Sequence, residues 1–269
     1  RPELTDLPTL ADRICQSMMH IGLDVIRHNA SPDAAAAVMC RIMLSGLADR
    51  SPDDAELDSS PAFAVAKAAI ETWSDDGDSE DNDKAAHVRS VARAEFGRRG
   101  YEVTTIRDIA SAAGLGIGTV YRLIGSKEQL LASIMTSFGW KVGGGFDSVL
   151  KADATPVQKL DALSWVNINA LDRFPDEWKI QLAWMRQSPP DTPLIGLAFT
   201  MRMQQLKTLL AQGLRSNDIR IGSPNREVLA RCVMDVLWMP QNIVAAQGKR
   251  AALLTARDTV VRGIAVRDA

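Results

Sequence analysis

Apolar residues recur every three or four positions along most of this chain, which is the spacing that amphipathic α-helices require. Between residues 83 and 134 this pattern divides into three short helices and the beginning of a fourth. Gly100 ends the first helix, a turn at 114–116 separates the second from the third, and a turn at 125–126 separates the third from the fourth. The stretch therefore predicts a group of short helices joined by tight turns.

Two of these helices begin with capping boxes, in which two residues three positions apart satisfy each other's backbone N–H groups. Thr105 and Asp108 form the first box, and Ser126 and Gln129 form the second. The third helix begins at Ile117 and is opened by small residues, so that it can approach a major groove. Two short helices joined by a glycine turn in this way predict a helix-turn-helix.

A set of residues in this stretch follows the pattern of a known family, namely Phe96, Gly100, Tyr101, residues 104–110, residues 113–115, residues 118–121 and residues 126–131. At these positions the stretch resembles the DNA-binding domain of the TetR family of bacterial transcriptional regulators. Gly116 departs from the family pattern because a serine usually caps the recognition helix there, and Ile124 departs because an aromatic residue is usual. The resemblance implies an all-α fold, with a three-helix DNA-binding head and a helical-bundle regulatory domain. It also implies a repressor that a small apolar ligand releases from a double-stranded DNA operator.

Phosphate contacts fix the pose of a DNA-binding domain, and base contacts supply its sequence preference. Hydroxyls and backbone N–H groups at a helix start suit phosphate, and an arginine on the recognition helix suits a guanine edge. The resemblance implies a phosphate contact by the hydroxyl of Tyr121, for which the alternative is a half-buried packing role. The glycines are expected to permit close approach. We therefore expect eight residues at the DNA: Thr104, Thr105, Gly116, Gly118, Thr119, Tyr121, Arg122 and Lys127.

The charge distribution supports a DNA-binding head. The 269-residue chain has a formal net charge of −2, which alone does not indicate nucleic acid. Residues 84–127 nevertheless carry eight Lys or Arg side chains against three acidic ones. A local basic patch of this kind is the expected footprint of phosphate binding.

Large apolar side chains are concentrated between residues 156 and 214, and among them lie polar residues that include Asn167, Asn169, Gln181 and Arg202. This composition is typical of an apolar pocket with sparse polar anchors, in which methionine adapts to the shape of a ligand. The alternative is an ordinary helical core. Because the resemblance implies a small lipophilic effector, we predict a pocket lined by Trp165, Asn169, Trp178, Gln181, Trp184, Met185, Phe199 and Met203.

Changes in composition divide the chain into four parts. Residues 75–83 contain six acidic residues and a glycine, which is typical of a solvated linker. We therefore predict an extra N-terminal helical segment at 1–73, an acidic linker at 74–83, the helix-turn-helix domain at 84–140 and a regulatory and dimerisation domain at 141–269. Three glycines at 143–145 predict that the fourth helix ends or bends there, and Pro240 predicts a kink.

The N-terminal segment is similar to the C-terminal end of the same chain. Gly46 and Gly263 lie in similar motifs at an offset of 263 − 46 = 217, and Arg13 and Arg231 do so at 231 − 13 = 218. In the TetR family the last two helices pair with those of a second subunit. We therefore expect residues 10–47 to pack against 225–266 as an intramolecular pseudo-dimer, in a natural protein with a second helix-turn-helix upstream. The alternative is an unrelated helical extension and a homodimer through 225–266.

Other classes of function find little support in the sequence. The three histidines lack metal-ligand spacing, the three cysteines are far apart, and there is no phosphate loop or nucleophile elbow. No apolar run reaches the roughly 18 residues of a membrane span, and there is no secretory signal pattern. We therefore expect a cytoplasmic protein that is not an enzyme and holds no metal or cofactor. The alternative to a repressor is a ligand-binding or scaffold protein whose degenerate helix-turn-helix does not bind DNA strongly.

Overall fold

The computed structural model describes residues 7–28, 31–73, 80–187, 193–223 and 225–265, with side chains at all of these positions except 20, 23–24, 26–28, 80–82, 184–187 and 193–199. This part of the chain is helical and contains no β-strand, which confirms the predicted all-α class. None of its helices combines the length and the apolar character that crossing a membrane requires. The helices are α1 Leu7–His28, α2 Pro32–Ser45, α3 Asp54–Asp58, α4 Pro61–Glu71, α5 Glu80–Arg99, α6 Ile106–Ala112, α7 Ile117–Ile124, α8 Lys127–Lys151, α9 Pro156–Arg173, α10 Pro175–Gln187, α11 Pro193–Arg215, α12 Arg226–Leu237 and α13 Gln241–Ala256, followed by a π-helical turn at Arg257–Arg262.

Helices α5, α6 and α7 form a three-helix head, and α8 begins directly after it. Phe96 of α5, Ile109 of α6 and Val120 of α7 are buried in its core. Both predicted capping boxes are present, at the starts of α6 and α8. Gly116 caps α7 with an extended backbone and no side-chain hydrogen bond, because glycine has no side chain to accept one.

Helix α8 continues through the three glycines at 143–145 and ends at Lys151, so a helix end at these residues is wrong. Tertiary packing explains the difference. A Cβ atom on Gly145 would lie 3.1 Å from Cγ1 of Val166 on α9 and 3.8 Å from Cζ2 of Trp73. The missing side chain therefore lets neighbouring elements approach α8, and this packing offsets the roughly 1 kcal/mol that each glycine costs a helix interior.

Two further boundaries differ from the sequence pattern. Pro240 does not kink a continuous helix, because α12 ends at Leu237 and Pro240 is the residue that precedes α13. Helix α5 begins at Glu80, so residues 80–83 of the predicted linker are helical, while 74–79 lie outside the described residues. Acidic side chains are favourable in a first helical turn because they face the positive end of the helix dipole.

The N-terminal segment packs into the regulatory body through α4, which lies against both α8 and α9. Ala62, Phe63 and Ala66 of α4 are buried in the shared core. Beyond the end of α4, the indole of Trp73 donates a hydrogen bond to the carbonyl of Lys141 over 3.1 Å, and its ring lies 5.4 Å from that of Phe174. These contacts fix the segment immediately before the head.

A buried network of arginines and aspartates joins the N-terminal segment to the end of the chain. Arg257 has no exposed surface and donates through Nε and Nη2 to the two carboxylate oxygens of Asp161, over 2.9 and 3.0 Å. Its Nη2 also donates to Asp58 over 2.7 Å, and Arg250 donates to both oxygens of Asp58. The hydrogen bond from Arg250, opposed by burial and reinforced by Arg257, lowers the pKa of Asp58 from 3.8 to about 2.

Candidate DNA-binding site and effector region

Helix α7 lies on the surface of the head with one side anchored in the core. Val120 is completely buried, whereas Tyr121 is 52% exposed, and Ile117 and Arg122 are also exposed. No atom lies within 4 Å of the position that a Cβ on Gly118 would occupy. The outer face of α7 is therefore accessible along its length, as the approach of a recognition helix to a major groove requires.

The start of α6 opens onto the same face. The hydroxyl and the amide of Thr105 both donate to Oδ2 of Asp108, over 2.7 and 2.8 Å. The hydrogen bond from the Thr105 hydroxyl, followed by that from its amide, lowers the pKa of Asp108 from 3.8 to about 2. The capping box satisfies the amides of Thr105 and Asp108, which leaves those of Ile106 and Arg107 directed out of the helix end, where a phosphate binds well.

A cleft of about 330 Å³ joins the start of α6 to the start of α7, and its walls are Thr105, Ile106, Arg107, Ile117 and Tyr121. Arg107 and Ile117 were not among the predicted DNA contacts. The signal for Arg107 was present in the sequence, because it directly follows the buried Ile106 in the first turn of α6 and is exposed. A cation at this position faces the same cleft as Tyr121.

Thr104 is the predicted contact that the structure places elsewhere. It has no exposed surface, and its hydroxyl donates to the carbonyl of Gly100 over 2.8 Å. Thr104 therefore closes the turn between α5 and α6, and its hydroxyl is not presented to a ligand. Local spacing cannot distinguish the two adjacent threonines, because which one faces inward depends on the packing of α5.

Lys127 lies at the start of α8, as predicted, but it also has partners within the head. Its Nζ donates to the carbonyl of Glu102 over 3.3 Å and lies 4.2 Å from the ring centroid of Tyr101. The ammonium group is held at the head surface by a cation–π contact, which is worth about 0.5–1 kcal/mol at an exposed site. Thr119 is half-buried on α7, and Gly116 is exposed at the turn that precedes it.

Five of the residues predicted to line an effector pocket have described side chains, and their surroundings differ. Trp165 packs against Phe63 of α4, with ring centroids 5.6 Å apart, and Asn169 one turn later donates to the Trp165 carbonyl. Trp178 is buried on α10 and faces Trp238 at a centroid distance of 4.4 Å. Gln181 and Met203 are also buried, and the side chains of Trp184, Met185 and Phe199 lie outside the described residues. Trp165 and Trp178 therefore lie in two different packing environments.

Asn169 does line a cavity of about 360 Å³, but its other walls are mostly polar. They are Ile70, Asp172, Arg173 and Lys249, and Lys249 pairs with Asp172 over 3.1 Å. An apolar pocket would need few charged walls. This cavity therefore does not match the predicted pocket.

The head contacts the regulatory body between α5 and α10. Arg93 of α5 donates to Glu177 of α10 over 2.8 Å, and the Glu177 side chain is almost completely buried. One turn later, a Cβ atom on Gly97 would lie 2.6 Å from Oδ1 of Asp176. The glycine lets the two helices approach closely beside the ion pair, so the position of the head depends on that of α10.

Comparisons with known proteins agree with the geometry of the head. Residues 88–134 match the family model described as "Bacterial regulatory proteins, tetR family". The chain is 27% identical over 161 residues to the HTH-type transcriptional repressor KstR2 of Mycolicibacterium smegmatis, a match that covers 55% of this chain and 73% of that protein. It is 32% identical over 128 residues to the HTH-type transcriptional regulator BetI of Rhizobium meliloti, covering 45% of this chain and 56% of BetI.

The fold also has a solved counterpart. The structure of the ketosteroid transcriptional regulator KstR2 of Mycobacterium tuberculosis matches with a TM-score of 0.58 at 20% identity, and 68% of this chain covers 96% of that one. At this identity the likeness concerns the fold. Because about two thirds of this chain accounts for nearly all of the solved one, the chain contains a substantial part beyond that fold.

Proposed function

We propose that this chain, whose residues 88–134 match the TetR family of bacterial regulatory proteins, is a repressor that reads an operator with α7 and is released by a small apolar ligand. The observation that carries the proposal is the accessible outer face of α7 next to the open start of α6. A helix anchored by one buried residue, beside unsatisfied backbone amides, is suited to lie in a groove between two phosphate backbones.

The contacts divide into two kinds. Arg107, the amides at the start of α6 and Lys127 are assigned to phosphate because they border α7. The hydroxyl of Tyr121 is assigned to phosphate as well, because Tyr121 lies on α7 at the cleft that Arg107 also lines. Thr119 and Arg122 lie on α7 itself and are assigned to base edges. Gly116 and Gly118 have no side chains, and so they let the backbone at the start of α7 approach the DNA closely.

Effective repression requires two heads on successive major grooves, about 34–36 Å apart, since one head alone binds weakly. The second head comes from a second copy of the chain or from a tandem partner in the same polypeptide. The effector is assigned to residues 156–214, where large apolar side chains are concentrated. The effector must bind the DNA-incompetent conformation more tightly than the DNA-competent one. A ligand with equal affinity for both conformations would not shift the equilibrium between them. Helix α8, which runs from head to body without a break, and the Arg93–Glu177 pair are the routes by which the body can move the head.

The proposal is tested by measuring fluorescence anisotropy of two labelled duplexes, one taken from beside the gene and one of random sequence, between about 50 and 200 mM salt. We expect both affinities to fall steeply with salt and the first duplex to bind more tightly. Added ketosteroids and fatty acids, as apolar probes, are expected to release the first duplex. Binding that is absent or independent of salt would instead favour a ligand-binding or scaffold protein.

A further inference from the structure

We propose that residues 32–48 and 249–265 are two copies of one helix-and-turn unit related by an internal two-fold axis. One copy would then cover the other within a single chain, at a surface that would otherwise be the interface between two subunits. We refer to them as the N-terminal copy and the C-terminal copy. The proposal concerns the architecture of the chain and does not depend on its activity.

The backbone hydrogen bonds between the two copies are reciprocal. The amide of Leu47 donates to the carbonyl of Val260 over 2.7 Å, and the amide of Ile264 donates to the carbonyl of Met43 over 2.9 Å. An offset of 217 positions converts the first bond into the second, donor onto donor and acceptor onto acceptor (264 − 47 = 217 and 260 − 43 = 217).

A second pair of hydrogen bonds follows the same rule. The amide of Ala48 donates to the carbonyl of Val261 over 3.0 Å, and the amide of Ala265 donates to the carbonyl of Leu44 over 2.9 Å. The same offset relates them. Two segments that meet by chance have no reason to exchange their bonds in this way, whereas reciprocal contacts define an isologous two-fold interface.

The two copies cross at a pair of equivalent glycines. Gly46 has φ 73° and ψ 161°, and Gly263 has φ 79° and ψ 152°. A Cβ atom on Gly46 would lie 2.5 Å from the amide nitrogen of Gly263, and one on Gly263 would lie 2.3 Å from that of Gly46. Each position therefore needs a glycine for two reasons. Its φ is positive, and a side chain there would collide with the backbone of the other copy.

The helices before the glycines also correspond. Helix α2 covers Pro32–Ser45, and the same offset places its counterpart at 249–262, which is helical and follows the break at Gly248. The symmetry weakens farther away, because α1 is continuous whereas its counterpart ends at Leu237 and resumes as α13. The two ends of the chain thus differ most around Pro240, where the counterpart of α1 is interrupted.

Buried contacts extend the interface beyond the crossing. Arg13 of α1 is buried and donates to the carbonyl of Val236 over 2.5 Å and to the hydroxyl of Thr259 over 2.7 Å. Helix α2 packs on α12, where Sγ of Cys232 lies 3.7 Å from the carbonyl of Ala35. The face of α12 and the end of the chain is therefore covered by the N-terminal segment.

A duplication of the whole regulator that carries this unit would also duplicate its helix-turn-helix. The offset places the counterpart of the helix-turn-helix, residues 88–134, upstream of Arg1 (88 − 217 = −129 and 134 − 217 = −83). We therefore expect the gene to encode a second helix-turn-helix at that distance. A reading frame that continues through this region without such a motif would contradict the duplication.

Sedimentation equilibrium on the 269-residue chain tests whether the interface is internal. We expect a monomer of 29.3 kDa at all concentrations. In parallel, Thr9→Cys and Gln247→Cys are combined in a Cys15→Ser, Cys40→Ser background and treated with a short bismaleimide, because these two side chains meet over 2.6 Å. Cross-linking within one chain is expected. A stable homodimer, or a cross-linked band of twice the mass, would overturn the proposal.

The glycine pair tests the symmetry itself. Gly46→Ala and Gly263→Ala are expected to lower Tm by the same amount within error. Gly248→Ala is the matched control, because its φ is also positive, at 81°, but no atom lies within 4 Å of the added Cβ. The control should lower Tm by less than half as much. A large loss at only one of the paired glycines would refute the two-fold relation, and failure to bind DNA would affect only the proposed function.

Discussion

Arg122 is the residue on which sequence preference is expected to depend most, because it is an exposed cation on the recognition helix. The neighbouring contacts have other duties: Thr105 completes a capping box, and Lys127 is held against Tyr101. A side chain with no structural duty can be changed to alter recognition without altering the fold. This distinction is visible only in the structure, since both kinds of residue are polar and adjacent in the sequence.

Arg122→Ala should therefore reduce the preference for the operator over random duplex by about 1–3 kcal/mol, the value of a good bidentate base contact, with little change in Tm. Anisotropy measured against both duplexes gives the ratio. Arg215→Ala removes the same charge from an exposed position at the end of α11 and should leave the ratio unchanged. An equal loss on both duplexes would assign Arg122 to phosphate instead.

Arg107→Ala should weaken binding to both duplexes equally and reduce the slope of log affinity against log salt by about one phosphate contact. The reason is its place in the cleft between α6 and α7, beside the groove-facing helix. Arg98→Ala is the control within the head, since Arg98 pairs with Glu95 at the exposed end of α5. A change in preference without a change in slope would contradict the assignment.

At the scale of the element, the caps and turns of the head were predictable because their chemistry is local. The two capping boxes and the start of α7 were all read from residues within four positions of one another. The continuity of α8 was not predictable, since it depends on Val166 and Trp73, which are distant in sequence. The surroundings of Trp165 and Trp178 were not predictable for the same reason, because composition does not say which helix each of them packs against.

The contact between α5 and α10 provides an element-scale prediction. Glu177→Gln should lower the free energy of unfolding by about 1–3 kcal/mol, because Arg93 would then face a neutral amide in a nearly buried site. Urea unfolding measures the loss. Lys179→Gln alters the exposed pair with Asp176 on the same helix and should change stability by less than about 0.5 kcal/mol. Equal effects would mean that the Arg93 pair contributes no more than a surface contact.

At the scale of the whole molecule, the buried network around Arg257 holds the N-terminal segment, α9 and the chain end together. The aspartates of this network are far apart in sequence, so neither composition nor periodicity indicated it. The proposed repeat, by contrast, has a signal in the sequence, which is the near-constant offset between the two ends of the chain. That signal includes Gly46 and Gly263, where positive φ and the close approach of the two backbones both favour glycine.

This network predicts a response to acid. The pKa of Asp58 is lowered to about 2, so its ionised form stabilises the fold above about pH 4, and this contribution is lost as the pH falls towards 2. Urea unfolding at several pH values should therefore show a stability that decreases with acid in this window. Asp58→Asn should flatten the dependence and lower stability at neutral pH. Asp153→Asn, at an exposed loop position, should do neither.

The reciprocal crossing at Gly46 and Gly263 has a consequence for the DNA that such a protein selects. A homodimer presents one reading surface twice, and so it favours palindromes. Once both halves belong to a single polypeptide, mutation can change one reading surface and leave its counterpart alone. A protein with the proposed second head in the same polypeptide can then recognise an operator whose two half-sites differ in sequence.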